Sequence, residues 1–169
     1  MLEAIAQNSA QAYRTFRLFD DMRRDFLRTY GFSVLMLIFA LISLAIRSYV
    51  FFAIMAGFAI LYPLLRLLTA RSSAKALVKE NPGYEKISVR YVFSVQDMSV
   101  LASNERTPTT YAYTDFYMVY ETNEYFYFYI NPKESLILPK DSFRVGKSED
   151  LTRILKAHLL PIRKYVRRK

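Results

Sequence analysis

Residues 121–132 read ETNEYFYFYINP. Successive side chains of a β-strand point to opposite faces, so Tyr125, Tyr127 and Tyr129 line one face of this run and Phe126, Phe128 and Ile130 the other. A half-exposed strand carries polar groups on one side; aromatic groups on both sides call for two covered faces. With Thr122-Asn123 as the turn, the hairpin pairs Tyr120 with Tyr125, Met118 with Tyr127 and Phe116 with Tyr129 on one face. The other face then pairs Val119 with Phe126 and Tyr117 with Phe128. This register sets Glu121 opposite Glu124, a mild like-charge penalty. The phenylalanine face, free of hydroxyls that need partners, is the core candidate. The face of Phe116, Met118, Tyr120, Tyr125, Tyr127 and Tyr129 is the candidate partner-binding surface, of the amphipathic kind enriched at protein contacts and at the bilayer interface. The competing reading buries it beneath helices of the same chain.

Outward from this hairpin, a period of two recurs. Glu85–Ser94, Met98–Ala102, Thr109–Tyr113, Phe116–Tyr120 and Leu136–Leu138 read as further strands, with turns at 103–106 and 131–133. Ser148 is a candidate cap for a helix whose first turn carries Glu149 and Asp150 and whose apolar stripe is Leu151, Ile154, Leu155 and Leu159. The expected fold class is therefore α+β: an antiparallel curved sheet or partial barrel closed by a C-terminal helix, the outline of pleckstrin-homology-like domains.

The N-terminal half is of another kind. Residues 30–46 read YGFSVLMLIFALISLAI, and after Arg47 and Ser48 the sequence resumes as YVFFAIMAGFAILYPLL up to Arg66. Each uncharged stretch of roughly 17 residues reaches the lower limit for crossing a hydrocarbon core of about 30 Å. Neither has a polar face, which weighs against a buried hairpin in a soluble bundle. We expect a two-helix membrane hairpin over 30–66, with Arg47 at the far headgroups. Arg23, Arg24 and Arg28 precede it, and Arg66, Arg71, Lys75 and Lys79 follow, which predicts both termini in the cytoplasm and residence in the inner membrane. Ala53, Ala56, Gly57 and Ala59 offer a small-residue stripe for close helix approach. Residues 1–29 read as an amphipathic juxtamembrane helix with Phe16, Phe19, Phe26 and Tyr30 on one side. Residues 67–82 read as a helical linker, 83–160 as the cytosolic domain and 161–169 as a basic tail.

The net charge of +9 is uneven: residues 66–169 hold 18 Lys and Arg against 11 acids. Five of those cations, Arg163, Lys164, Arg167, Arg168 and Lys169, crowd the last seven positions and are candidate contacts for anionic membrane lipid, the alternative being a solvated terminus. No cysteine is present and His158 is the single histidine, which removes disulfides, thiolate chemistry and histidine metal clusters. No spacing pairs a nucleophile with a base, and Gly146-Lys147-Ser148 lacks the preceding glycine of a phosphate loop. We expect no cofactor, no metal, no enzyme activity and no nucleic-acid partner.

Three segments in order, YTDF at 113–116, ETNEYFYFYI at 121–130 and ILPK at 137–140, resemble the YcxB-like family of small bacterial membrane proteins. The resemblance spans roughly 87–157 and implies a membrane-anchored cytoplasmic domain, without catalytic residues to carry over. It departs at the N-terminus, where residues before the spans read as helix and not as a strand contributing to the sheet. The expected function is a non-enzymatic interaction or regulatory module that presents the aromatic surface to a membrane protein or to a second copy. The alternative is a module that senses anionic lipid.

Overall fold

The structure, a computed structural model, describes residues 1–162 and 164–168, and of these the side chains of all but 24–29. Arg163 and Lys169 lie outside the described residues, as do the side chains of Arg24, Phe26 and Arg28. In chain order the elements are β1 (Leu2–Gln7), α1 (Ala10–Ala45), α2 (Tyr49–Glu80), β2 (Ser88–Phe93), β3 (Asp97–Ala102), β4 (Thr109–Ala112) and β5 (Met118–Glu121). There follow β6 (Tyr125–Tyr129), β7 (Ser135–Pro139), β8 (Phe143–Val145), α3 (Ser148–Leu159) and β9 (Tyr165–Arg167). The chain divides into two compact units, Met1–Ala12 with Asn81–Lys169, and Tyr13–Glu80.

The first unit is α+β. Its strands form two sheets, β4-β3-β2-β1-β8 and β7-β6-β5-β9, where a curved sheet or partial barrel is expected from the sequence. Both sheets contribute to one core: Phe93, Met98 and Val100 from the first, Val119, Phe126, Phe128 and Leu138 from the second. The stripe Leu151, Leu155 and Leu159 of α3 closes it, with Ile154 partly buried beside them. Phe93 and Phe128 meet across the sheets at 6.3 Å, and the Tyr91 hydroxyl donates to the Ile137 carbonyl at 3.3 Å. The first turn of α3 is held not by Ser148 but by Asp150, whose Oδ2 accepts the Lys147 N–H at 3.2 Å. Ahead of it Gly146, at φ +78°, makes the left-handed turn out of β8, and its missing Cβ makes room for the Leu2 side chain.

The largest departure from the expected layout is β1. Leu2–Gln7 is not the start of an amphipathic helix but an inner strand, antiparallel to β2 from Leu2↔Phe93 to Gln7↔Ser88 and flanked on its other side by β8. Its inward residues are Leu2, Ala4 and Ala6, all buried. Leu, Glu, Ala and Gln favour helices in isolation, and small alanines give a weak hydrophobic signal; pairing on both edges outweighs that local preference. α1 starts only at Ala10, where the Ser9 hydroxyl oxygen accepts the Ala12 N–H at 3.0 Å.

The second unit is a pair of helices. Two residues past the end of α1, Arg47 sits in the left-handed region at φ +58° while Ser48 N–H reaches back to the Ser43 carbonyl at 2.8 Å and Arg47 N–H to the Leu44 carbonyl at 3.0 Å. This is the usual helix-ending bond pattern, with arginine where glycine is the common choice. α2 is long and apolar enough to cross a membrane, and Tyr30–Ala45 forms a shorter apolar helical stretch. Phe32 and Tyr62 pack ring to ring at 5.2 Å. Of the predicted small residues, Gly57 and Ala53 make no close contact, since a Cβ on Gly57 would meet nothing within 4 Å and Ala53 is exposed, while Ala56 and Ala59 on the neighbouring stripe are partly buried. The buried small residues of this unit include Ala40 of α1 and Ala70 and Ala74 of α2.

Candidate functional site

The aromatic hairpin folds with a two-residue loop, Asn123-Glu124, because Thr122 N–H donates to the Tyr125 carbonyl at 2.9 Å and its hydroxyl bonds both ways across the turn. The register becomes Met118↔Tyr129, Val119↔Phe128, Tyr120↔Tyr127 and Glu121↔Phe126. This is two residues from the expected pairing. A slip of two leaves each side chain on its own face, so the division into faces holds while every predicted partner changes.

The predicted partner-binding residues separate accordingly. Tyr127 and Tyr129 are fully buried and Tyr120 nearly so, so they form a second covered face and not a docking surface. Burial pushes the Tyr127 phenol well above its ordinary range. Phe116 is not on that face at all: it ends the single 3-10 turn Tyr113–Asp115, where period two breaks, and packs into the core 5.3 Å from the Phe128 ring. Met118 and Tyr125 keep partial exposure. Tyr125 lines a polar groove of about 730 Å³ with Gln7, Asn123, Glu124, Lys140 and Arg144.

The same register carries Glu121 to the core face beside Phe126, where it is 1% exposed. Four side chains from three parts of the fold converge on its carboxylate. Lys140 Nζ, at the end of β7, donates to Oε1 at 2.6 Å; Thr152 of α3 donates to Oε2 at 3.1 Å; the Tyr165 hydroxyl of β9 donates to Oε2; and Arg167 Nε lies 3.5 Å from Oε1. Burial pushes the carboxyl up, but the Lys140 ammonium and the Tyr165 and Thr152 hydroxyls together pull it further down, leaving it below its usual 4.5. Burial, and then the carboxylate that accepts its proton, raise the Tyr165 phenol. The sequence signal was present in the unfavourable Glu121–Glu124 pairing: a carboxylate that fits badly at a turn belongs elsewhere.

The candidate lipid-binding cations are also partly engaged. Tyr165–Arg167 is a strand parallel to β5, not a free tail. Lys164 Nζ donates to the Thr114 carbonyl at 2.7 Å, Arg167 faces Glu121, and the Arg168 guanidinium stands 5.8 Å from the centre of the Tyr120 ring.

The family model described as YcxB-like protein matches residues 99–157, from β3 to α3 and including the whole aromatic hairpin. Residues 99–157 carry a YcxB-like domain. The match bears out the family resemblance read from the three short segments. Both β1 and β9, which complete the two sheets, lie outside the matched YcxB-like segment. No curated protein and no solved structure matches the chain.

Proposed function

We propose that the protein is a non-enzymatic, membrane-anchored interaction module whose YcxB-like domain stands in the cytoplasm at the inner membrane. The observation that carries this reading is the apolar exterior of the second unit. From Val34 to Ile46 and from Tyr49 to Leu68 large apolar side chains stand exposed on all sides, Val50 and Ile60 by about 70%. No soluble surface sustains such a belt, whereas the bilayer interior solvates it. Chain connectivity supports two spans with both termini on one side: β1 precedes α1, β2 follows α2, and the two strands pair directly. Two sheets over one core, closed by a terminal amphipathic helix, support the pleckstrin-homology-like description.

The partner-facing surface in this reading is the accessible remainder of the aromatic sheet, Met118 and Tyr125, where Tyr125 opens on the polar groove. The densest polar cluster, around Glu121, is sealed and internally satisfied, which suits a structural role better than chemistry. A photo-crosslinker replacing Tyr125 in the full chain, in its native host, tests the proposal. Adducts to one membrane protein or to a second copy are the expected result; adducts confined to the chain itself overturn it. The anionic-lipid alternative loses ground because Lys164, Arg167 and Arg168 already have partners within the domain.

A further inference from the structure

Within the helical unit, Tyr62, Leu65, Arg66, Thr69, Ala70 and Ser73 recur at helical spacing and form one stripe of α2. Together with Arg17 and Asp21 of α1 they enclose a cleft of about 330 Å³, within the ordinary size of small-ligand sites. Its chemistry is selective: two guanidinium groups, one carboxylate and three hydroxyls. The Arg17 Nε is buried and has no hydrogen-bond partner among the described residues, an arrangement that asks for an acceptor. Arg66 leans on Tyr62, with 3.4 Å between its Nη2 and the phenolic oxygen.

Two apolar grooves adjoin this cleft and share lining residues with it. One, of about 180 Å³, shares Asp21 and Arg66 with it and continues along Leu18, Met22, Pro63 and Leu67. The other, of about 420 Å³, shares Tyr62 and Leu65 and continues along Phe58, Leu61 and Phe32 toward the middle of the apolar stretch. Arg66 follows Ser48 by 18 residues, so it lies about 27 Å along the helix from the hairpin tip at 1.5 Å per residue. That is close to the thickness of a hydrocarbon core, about 30 Å.

We infer that this cleft holds one aminophospholipid, its phosphate between the guanidinium groups of Arg17 and Arg66, its ammonium against Asp21, and its acyl chains along the two grooves. The inference rests on the membrane-anchored reading. Planar guanidinium groups recognise phosphate oxygens by paired N–H donation, and at the edge of the bilayer the attraction is less screened than in water. A carboxylate beside that pair repels a purely anionic headgroup and favours one that carries its own cation, which makes an ethanolamine headgroup a better fit than a glycerol one.

The test uses the full chain, purified in mild detergent, stripped of lipid and offered phosphatidylethanolamine, phosphatidylglycerol or inorganic phosphate, with binding counted by native mass spectrometry. Retention of one phosphatidylethanolamine per chain is expected, with retention about tenfold lower in Arg17→Gln and Arg66→Gln, about 1.4 kcal/mol. Asp21→Asn removes the preference over phosphatidylglycerol. Ser73→Leu fills the cleft without altering charge and expels the lipid, which decides the matter if the arginine variants lose helicity. Lipid retention that ignores these substitutions, a wild-type preference for phosphatidylglycerol, or equal occupancy by phosphate alone overturns the inference. A chain released from membranes without detergent would instead overturn the membrane reading beneath it.

Discussion

Glu121 is the residue on which the β domain closes. Its carboxylate holds the end of β7, the first half of α3 and the last strand together. Removing one partner of a buried ion pair strands the other, so Glu121→Gln is expected to cost about 3–5 kcal/mol in denaturant unfolding. The same group sets an acid limit. Because the fold holds the carboxyl below 4.5, the unfolded chain binds more protons in that region; the stabilisation is complete above pH 4.5 and is lost as pH falls through the native value. The Gln variant is expected to lose that part of the acid slope. At the alkaline end the sign reverses. Burial raises the phenols of Tyr91, Tyr113, Tyr127 and Tyr165 above their ordinary 10.0, so the fold keeps their contribution below pH 10 and loses it as pH climbs beyond. Tyrosinate absorbance during an alkaline titration is expected to show these phenols ionising late and together with unfolding; early, independent ionisation would contradict their burial.

At the scale of elements, what could be read from sequence depended on how apolar each element is. β2, β3, β4, β6 and α3 carry clear periods and fall close to their expected positions. β1, β8 and β9 escaped for separate physical reasons. β1 hides behind helix-favouring alanines. β8 is three residues long, two of them solvent-facing. β9 is three residues long within a basic stretch whose cations read as lipid contacts or a solvated terminus, until Arg167 is seen to face the buried Glu121. The hairpin faces were legible and its register was not, since alternation fixes the face and only the turn fixes the partner. The placement of β1 yields a direct test. Residues 81–169 alone lack the strand that separates β2 from β8 and are expected to remain unfolded. The same fragment with residues 1–12 joined ahead of it through a flexible linker is expected to give a cooperative thermal transition, and equal folding of the two would remove β1 from the account.

For the whole molecule, the proposed arrangement is a two-span hairpin with Arg47 and Ser48 at its far tip. The chain contains no cysteine, so single substitutions report without background. Ser48→Cys is expected to react with an impermeant maleimide in intact cells, and Ser103→Cys, in the turn after β3, only after permeabilisation. Labelling of both from one side would end the two-span proposal. The family segment, the apolar stretches and the aromatic hairpin were all legible at this scale; the cleft lined by Arg17 and Arg66 was not, because its members lie 49 positions apart and meet only when α1 and α2 fold together.

The place of β1 between β2 and β8 also orders events in time. Ser88, the first residue of its main partner strand, is made 86 residues after Leu2, a delay of about 4–17 s at 5–20 residues per second. During that interval β1 waits without its partner strand while α1 and α2 are synthesised. In the proposed hairpin, the sheet closes only in chains whose two helix ends face the same side, so formation of the β domain would report correct orientation.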